Sequence, residues 1–294
     1  MSPSPIRIAR FIGYSLAFDT GVSYTASRKR EMGKMAATSD PENVARAFID
    51  ARAGKTPLTV YPGAFPQTMA EAYAIQDRAI ALDGRRVGGW KVGRIAPELV
   101  DRFGGNRLTG PIFADEIVDG AADPAMPVYA DGFAAAEAEV LLCFGEVGPR
   151  DYSIDSVKQC IADVRTGIEI ASSPFPEINR HGPAVTASDY GNNKGLILGP
   201  SIPDWQDADL IHMPVEMFVD GARVGAGTME AMLDGPFGSA LFLIDTLRAR
   251  GIAIAPGTWV SAGAITGIHE VRPGQRAEAL FDGKIRVGCT ITSY

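Results

Sequence analysis

The sequence predicts a β-rich α+β fold with a helical N-terminal part, and three observations lead to this class. Helix-capping signals cluster within residues 40–105. Short segments rich in apolar and β-branched residues fill residues 106–294. Two Asp-Gly pairs separate such segments in the manner of hairpin turns. We expect the helical part and the β-rich part to form one continuous unit.

Two capped helices are predicted in the N-terminal part. The first begins at Asp40-Pro41, an N-cap followed by a proline at the first helical position, and ends at Gly54. The second begins at a Thr-Met-Ala-Glu capping box, residues 68–71, and ends at Gly84.

Strand-like segments dominate the rest of the chain. Two helices, over residues 154–164 and 236–250, are expected between the strands. The strand candidates are residues 89–93, 136–144, 167–172, 195–199, 213–219, 222–228, 258–262, 265–271, 277–281 and 284–292.

The first 39 residues are set apart by their composition. Basic side chains outnumber acidic ones in residues 1–35, whereas the whole chain has a formal net charge of −7. A basic, serine-containing, acid-poor start resembles an organelle transit peptide. An ordinary polar lead-in follows Met35, so we favour a misannotated upstream extension or simple disorder. Residues 1–39 are therefore left out of the expected fold.

Composition argues against several classes of protein. Of the 294 residues, 46% are hydrophobic and 21% are charged, which suits a globular chain with a sizeable core. No apolar stretch is long enough for a transmembrane helix, and the acidic balance argues against nucleic acid. Three scattered cysteines fit a reduced, cytoplasmic protein, and three histidines without HxxxH spacing give no histidine-based zinc site.

Glu137 and Glu139 give the strongest chemical signal. They stand two residues apart in the segment FAAAEAEVLLCF, where the strand period places both side chains on one face. Because the segment is apolar, two like charges would be held together and partly desolvated there. That arrangement is costly unless a cation or a proton compensates it. The alternative is that both residues lie on the solvent face of an amphipathic strand.

Two further residues extend this candidate site. Glu169 is isolated in the apolar segment GIEIASS, which is typical of a buried strand. Three carboxylates without Cys or His are hard oxygen ligands that suit Mg²⁺ or Mn²⁺. Lys91 lies in the glycine-flanked segment GGWKVG, where it could bind a substrate carboxylate or move protons. A surface lysine that packs its aliphatic stem on the protein is the alternative.

These motifs occur in an order that resembles a known family. The chain resembles the 2-keto-4-pentenoate hydratase / 4-oxalocrotonate decarboxylase group of the fumarylacetoacetate hydrolase superfamily over nearly all of residues 40–294. The set of motifs carries the resemblance, because each motif alone would be weak. The matching stretches are EAYAIQ at 71–76, GWKVG at 89–93, LTGPIF at 108–113, AEAEV at 136–140, GIEIASS at 167–173, the run 189–199 and the run 236–266.

The resemblance implies a fold and a set of site residues. The fold is the superfamily's mixed β roll with an N-terminal helical part, and residues 106–294 form its catalytic domain. One divalent metal, Mg²⁺ or Mn²⁺, is implied as the cofactor. The implied metal ligands are Glu137, Glu139 and Glu169, the catalytic residues are Lys91 and Asp189, and the substrate-binding residues are Gln76, Ser261, Gly263 and Ala264.

The resemblance also implies an activity in aromatic catabolism. A hydratase of this group is a lyase that adds water to a 2-hydroxy-2,4-dienoate and gives a 4-hydroxy-2-oxo acid. A 4-oxalocrotonate-type decarboxylase uses the same metal and electron sink, so it remains an alternative. An acylpyruvate or fumarylacetoacetate-like hydrolase is a third, but that branch uses an early His–Glu pair and no histidine precedes His181. A non-enzymatic role is disfavoured by the intact carboxylate set.

The chain departs from the group at positions that bear on the substrate. Ser172 and Pro174 stand where the group often has Asp and Arg, and Ala262 stands where a hydroxyl residue is common. The metal ligands are unaffected, so these departures leave the exact substrate open. The expected partners are a small 2-oxo or 2-hydroxy acid and other copies of the chain. A related decarboxylase or hydratase could join that oligomer.

Overall fold

The computed structural model describes residues 40–294. The basic extension expected over residues 1–39 falls outside these described residues. Two helices open the described part, α1 (Pro41–Gly54) and α2 (Met69–Asp83). Their predicted caps are confirmed, since the side chains of Asp40 and Thr68 accept hydrogen bonds from backbone amides of the first turns.

Thirteen strands follow within the described part of the chain, in two sheets. The first sheet has the order β2-β1-β10-β5-β6-β7-β3, and a short eighth strand, β11, pairs with β5. Its strands are β1 (Val87–Arg94), β2 (Arg107–Phe113), β3 (Ile117–Asp119), β5 (Phe133–Phe144), β6 (Ile161–Ser173), β7 (Asn193–Ser201), β10 (Trp259–Ser261) and β11 (His269–Glu270). The second sheet contains β4 (Ala125–Val128), β8 (Val215–Val219), β9 (Ala222–Gly227), β12 (Arg276–Phe281) and β13 (Ile285–Ser293), in the order β4-β13-β12-β8-β9.

Three more helices connect the strands: α3 (Val100–Phe103), α4 (Pro183–Ser188) and α5 (Gly235–Ala249). The β-rich α+β class is therefore confirmed. No helix among residues 40–294 combines the length and the apolarity needed to cross a bilayer.

Both predicted hairpins are confirmed. The Asp220-Gly221 pair joins β8 to β9, and the Asp282-Gly283 pair joins β12 to β13. All four residues have positive φ, between 51° and 77°. This is the conformation of a tight two-residue turn whose twist matches that of the flanking strands.

Two sequence predictions of secondary structure were wrong. The helix expected over residues 154–164 is a single 3-10 turn at Val157–Cys160, and β6 then begins at Ile161. The strand expected over residues 265–271 is reduced to β11. In the first case the apolar residues of the segment pair along β5, where Val164 lies opposite Leu142. A short apolar run does not distinguish a helix from a buried strand by periodicity alone.

The two largest clusters of apolar side chains hold this architecture. The larger joins the two sheets and α5, with Leu142 and Phe281 among its fully buried members. The second fastens the helices to the first sheet through Phe48 of α1, Ile75 of α2 and Phe113 of β2. The helical part is thereby fixed against the edge of the first sheet.

A left-handed turn lies directly over β2. Tyr190, Gly191 and Asn192 all have positive φ, between 55° and 62°. A Cβ atom added to Gly110 would lie 2.1 Å from the carbonyl oxygen of Tyr190. Gly110 is the β2 residue paired with Lys91 of β1. Its missing side chain therefore lets the 190–192 turn approach Lys91 closely.

We predict that Gly110→Ala destabilises the protein by about 1–3 kcal/mol, since the methyl group would force the 190–192 turn away from β2. Gly105→Ala is the matched control, because a Cβ atom at that position meets nothing within 4 Å. Urea unfolding followed by circular dichroism measures both changes. Equal free energies of unfolding for the two variants would contradict the close approach described here.

Candidate active site

Three glutamates meet at the centre of the first sheet. Glu137 and Glu139 lie on β5, and Glu169 of β6 lies directly opposite Glu137 in the strand register. One carboxylate oxygen from each lies within 4.8 Å of the other two. The exposed fractions of the three residues are 5%, 1% and 0%, respectively. The alternative of a solvent-facing strand is therefore wrong.

Fixed hydrogen-bond donors hold two of these carboxylates. The Oε2 atom of Glu139 accepts hydrogen bonds from the Ser261 hydroxyl and, at 2.9 Å, from the backbone amide of Gly263. The Oε1 atom of Glu169 accepts one from the side-chain amide of Asn193 at 2.9 Å. The second oxygen of Glu169, Oε2, is buried without a hydrogen-bond partner among the described residues. That oxygen is available to a ligand.

Lys91 supplies the positive charge of the cluster. Its Nζ atom lies 3.1 Å from Oε1 of Glu169 and donates a hydrogen bond to Oδ1 of Asn192 at 3.3 Å. The residue is 6% exposed, so the alternative of a surface lysine is wrong. Asn192 belongs to the turn that lies over Gly110. The close approach of this turn to Gly110 therefore places the Asn192 side chain within hydrogen-bond distance of Lys91.

The charges of the cluster do not balance. Burial, together with the charge of Glu169, raises the pKa of Glu137 to about 7 even though Lys91 opposes the shift. Burial and the two neighbouring carboxylates raise the pKa of Glu139 well above its ordinary value. Burial alone would lower the pKa of Lys91, but the three carboxylates outweigh it and raise that pKa. One ammonium group cannot neutralise three carboxylates, so the site holds extra protons or a cation.

A divalent cation fits this set of residues. The donors are carboxylate oxygens only, which suit hard cations such as Mg²⁺ and Mn²⁺. The unpartnered Oε2 of Glu169 and the excess negative charge are both satisfied by such an ion. A bound cation would also lower the raised carboxylate pKa values.

The glutamates open onto a cavity of about 440 Å³. Lys91, Glu137 and Glu139 line it, as do Gly263 and Ala264. This volume suits a small organic ligand. The structure therefore brings five of the residues implied by the family resemblance to one cavity, with Glu169 and Ser261 directly behind its wall.

Gln76 is not brought to the cavity. Its side-chain amide donates to the carbonyl oxygens of Thr109 at 2.9 Å and Ala187 at 2.8 Å. Its Oε1 atom accepts a hydrogen bond from Arg250 at 2.8 Å. Both polar atoms of this fully buried side chain are thus used to join α2 to β2, to α4 and to Arg250, the residue that follows α5. The substrate-binding role implied for Gln76 has no support in this geometry.

Asp189 also lies away from the cavity lining. Its carboxylate accepts a hydrogen bond from Nε of Arg52 at 2.6 Å and another from the Ser173 hydroxyl at 2.6 Å. Both Asp189 and Arg52 are buried. The pair joins α1 to the start of the 190–192 turn. In this structure Asp189 therefore fixes the position of Asn192 and Asn193 and does not face a ligand directly.

Sequence reasoning missed several polar residues of the site. Asn192 and Asn193 bind Lys91 and Glu169, and they stand within the 189–199 run that carried the resemblance. Arg94 and Arg107 line the cavity. Arg107 stands just before the matched stretch LTGPIF, but no spacing rule links it to the glutamates.

Curated sequences similar to this chain have two kinds of name. The chain is 25% identical over 261 residues to the 2-keto-4-pentenoate hydratase of Paraburkholderia xenovorans strain LB400, covering 86% of this chain and 94% of that protein. It is 24% identical over 232 residues to the 4-oxalocrotonate decarboxylase of Pseudomonas putida, covering 74% and 83%. No protein-family model matches the chain.

Solved structures share the fold at low sequence identity. The 4-oxalocrotonate decarboxylase of Pseudomonas putida G7, complexed with magnesium and adipate, superposes with a TM-score of 0.71 at 20% identity, over 85% of this chain and 97% of that one. The fumarylpyruvate hydrolase of Pseudomonas aeruginosa, in complex with Mn²⁺ and pyruvate, gives a TM-score of 0.51 at 16% identity, over 71% and 91%.

The sequence matches and the structural matches agree with the motifs. By sequence, this chain is similar to 2-keto-4-pentenoate hydratases and to a 4-oxalocrotonate decarboxylase, and it shares its fold with the solved structures of a 4-oxalocrotonate decarboxylase and a fumarylpyruvate hydrolase.

Proposed function

We propose that this protein is a hydratase that depends on a divalent metal, Mg²⁺ or Mn²⁺, and adds water to a 2-hydroxy-2,4-dienoate. The observation that carries the proposal is the cluster of three buried glutamates and Lys91 at the wall of a cavity sized for a small acid. The hydratase relative, aligned over 94% of its length, supports the reaction class. The magnesium and Mn²⁺ complexes of the two structural neighbours support the metal.

Glu137, Glu139 and Glu169 would hold the cation. A divalent metal in this position supplies Lewis acidity toward the carboxylate and the 2-oxygen of a 2-oxo acid. Ser261 and Gly263 fix one glutamate and Asn193 fixes another, so the ligand oxygens need little rearrangement.

The steps of the proposed hydration show what the protein side chains must do. The dienol is protonated at C5 and becomes a 3,4-enone, and water then adds its hydroxyl group to C4 and its proton to C3. The first step passes through a dienolate and the second through an enolate, and in both the negative charge lies on the 2-oxygen. Lys91 is protonated at neutral pH and lies in the cavity wall, so its Nζ donates a hydrogen bond to that oxygen. In a buried site this contact stabilises the dienolate strongly.

A 4-oxalocrotonate-type decarboxylation is the second candidate function. The decarboxylase relative covers 74% of this chain, and the decarboxylase structure has the same fold. Departure of CO₂ leaves a dienolate of the same kind, which the same lysine would stabilise. A hydrolase is not favoured, because no histidine of the described residues lines the cavity. The expected homo-oligomer and the cytoplasmic location stay predictions.

The proposal predicts that metal binding requires the glutamates. Glu137→Gln and Glu169→Gln should each weaken Mn²⁺ binding by at least about tenfold, because each removes an anionic ligand. Titration calorimetry with Mn²⁺ measures the affinity. Glu98→Gln, at an exposed position, should bind the metal like the parent protein.

Hydratase activity is followed as loss of 2-hydroxypenta-2,4-dienoate absorbance. Persistence of that loss in EDTA would contradict the metal dependence.

Lys91→Met separates metal binding from turnover. Removing the ammonium group leaves the glutamates more negative, so we expect Mn²⁺ affinity to be retained or increased. Turnover of 2-hydroxypenta-2,4-dienoate should fall at least about hundredfold, the loss expected for one donor to a developing oxyanion. Steady-state kinetics on the metal-loaded variant tests this. Turnover equal to that of the parent protein would remove Lys91 from the mechanism.

The stability of the metal-free protein should depend on pH in a specific direction. The pKa of Glu137 rises from its ordinary value of 4.5 to about 7 on folding, so the folded state binds a proton that the unfolded chain has released. The free energy of unfolding therefore falls as pH rises from about 5 to 8, by roughly 3 kcal/mol for this group. Thermal unfolding in EDTA at pH 6 and pH 8 measures the effect, and Mg²⁺ should reduce it.

Glu137→Gln provides the control for this pH dependence. Glutamine does not titrate, so the variant should lose less stability between pH 6 and pH 8 than the parent protein does. An identical pH dependence of the free energy of unfolding in both proteins would contradict the raised pKa of Glu137.

A further inference from the structure

Two arginines that are not part of the glutamate cluster lie in the wall of the same cavity. Arg94, on β1, and Arg107, on β2, are paired in the strand register. Both line the cavity. The side chain of Arg107 is only 7% exposed, whereas Arg94 is an exposed residue. One guanidinium group is therefore buried beside the ligand space, and a second lies at its solvent side.

The charge of Arg107 is poorly compensated. Its Nη2 donates to the carbonyl oxygen of Leu233, and its Nη1 donates to Oδ1 of Asn106 at 3.3 Å. The nearest carboxylate, that of Asp234, is 3.7 Å away and its side chain is 71% exposed. That separation is longer than a charge-assisted hydrogen bond. Burial lowers the pKa of Arg107, Asp234 opposes this shift only in part, and the charge of Arg94 adds to it.

Arg52 shows what a compensated buried arginine is like in this protein. Its guanidinium bonds a buried carboxylate, that of Asp189, at 2.6 Å, and its pKa is raised despite burial. Arg107 has a similar degree of burial without such a partner. Its missing counter-charge would be supplied by an anion in the cavity.

The position of the arginines relative to the glutamates sets the length of that ligand. Lys91 and Arg94 are three residues apart on β1, which corresponds to roughly 10 Å along a strand. Lys91 contacts Glu169, whereas Arg94 and Arg107 contact the carbonyl groups of Ala231 and Leu233. A ligand with one end at the glutamates would reach the arginines across several carbon atoms.

We propose that Arg107, assisted by Arg94, binds a second carboxylate at the far end of the substrate. The proposal rests on the proposed function, and it predicts that 2-oxo or 2-hydroxy acids with a distal carboxylate are preferred over 2-hydroxypenta-2,4-dienoate, which has none. A guanidinium group stabilises a carboxylate relative to neutral CO₂. The arginines therefore favour a reaction that keeps the distal carboxylate, such as hydration, over one that releases it.

A matched pair of ligands tests the subsite without turnover. 2-Oxoadipate and 2-oxohexanoate have the same six-carbon chain and differ only in the terminal carboxylate. Titration calorimetry of the Mn²⁺-loaded protein should show 2-oxoadipate binding roughly ten- to hundredfold more tightly, as expected for a charge-assisted contact. Equal affinities would overturn the subsite and leave the metal-dependent function standing. Failure of both ligands to bind in a metal-dependent way would overturn both proposals.

Variants assign the preference to named residues. Arg107→Met should reduce the affinity ratio to about one, and Arg107→Lys should keep part of it because a lysine retains the charge. Arg102→Met, an exposed arginine of α3 outside the cavity, should keep the full ratio. An unchanged ratio in Arg107→Met would overturn the assignment. Arg94→Met, at an exposed position, should lower the ratio severalfold and provides the test if Arg107→Met does not fold.

Discussion

The burial of three carboxylates around one lysine is the constraint on which the rest of the structure depends. Removing like charges from water is costly unless hydrogen bonds and opposite charges compensate them. Here Lys91 supplies one positive charge, and Ser261, Gly263 and Asn193 supply neutral donors. The negative charge that remains uncompensated is the property from which we propose a cation site.

The surrounding strands and the 190–192 turn hold the glutamates and Lys91 in position. β5 and β6 place the glutamates opposite each other, and β10 lies between β1 and β5, so Ser261 is beside both Lys91 and Glu139. The 190–192 turn supplies a partner for the lysine. Behind it, the buried pair of Arg52 and Asp189 ties the turn to α1. The helical part therefore contributes to the site through Arg52, whereas its Gln76 does not line the cavity.

Local patterns made part of this arrangement readable from the sequence. The two-residue spacing of Glu137 and Glu139 fixes their common face wherever the strand pairs, and the Asp-Gly pairs specify their turns in the same local way. The apolar surroundings of Glu169 and the glycine-flanked segment around Lys91 singled out these two residues, and the resemblance assigned their roles. In contrast, the register that sets Glu169 opposite Glu137 depends on pairing between distant segments, which spacing does not determine.

The sequence motifs did not determine which side chains line the cavity. A motif identifies a position on an element, but packing decides where its side chain points. Gln76 and Asp189 stand in matched stretches, yet the polar atoms of both side chains are engaged in buried hydrogen bonds or ion pairs. Arg107 stands outside those stretches and reaches the cavity because β2 runs beside β1. Likewise, the apolar run around residue 160, which suggested a helix, forms the start of β6 because it pairs with β5.

The central claim is that the glutamate cluster is a cation site. A crystal structure of the protein soaked in Mn²⁺, with anomalous scattering recorded at a wavelength sensitive to manganese, tests it directly. The account predicts one strong anomalous peak within coordination distance of carboxylate oxygens from Glu137, Glu139 and Glu169. Manganese bound elsewhere with no peak at the cluster, and three protonated glutamates in its place, would contradict it.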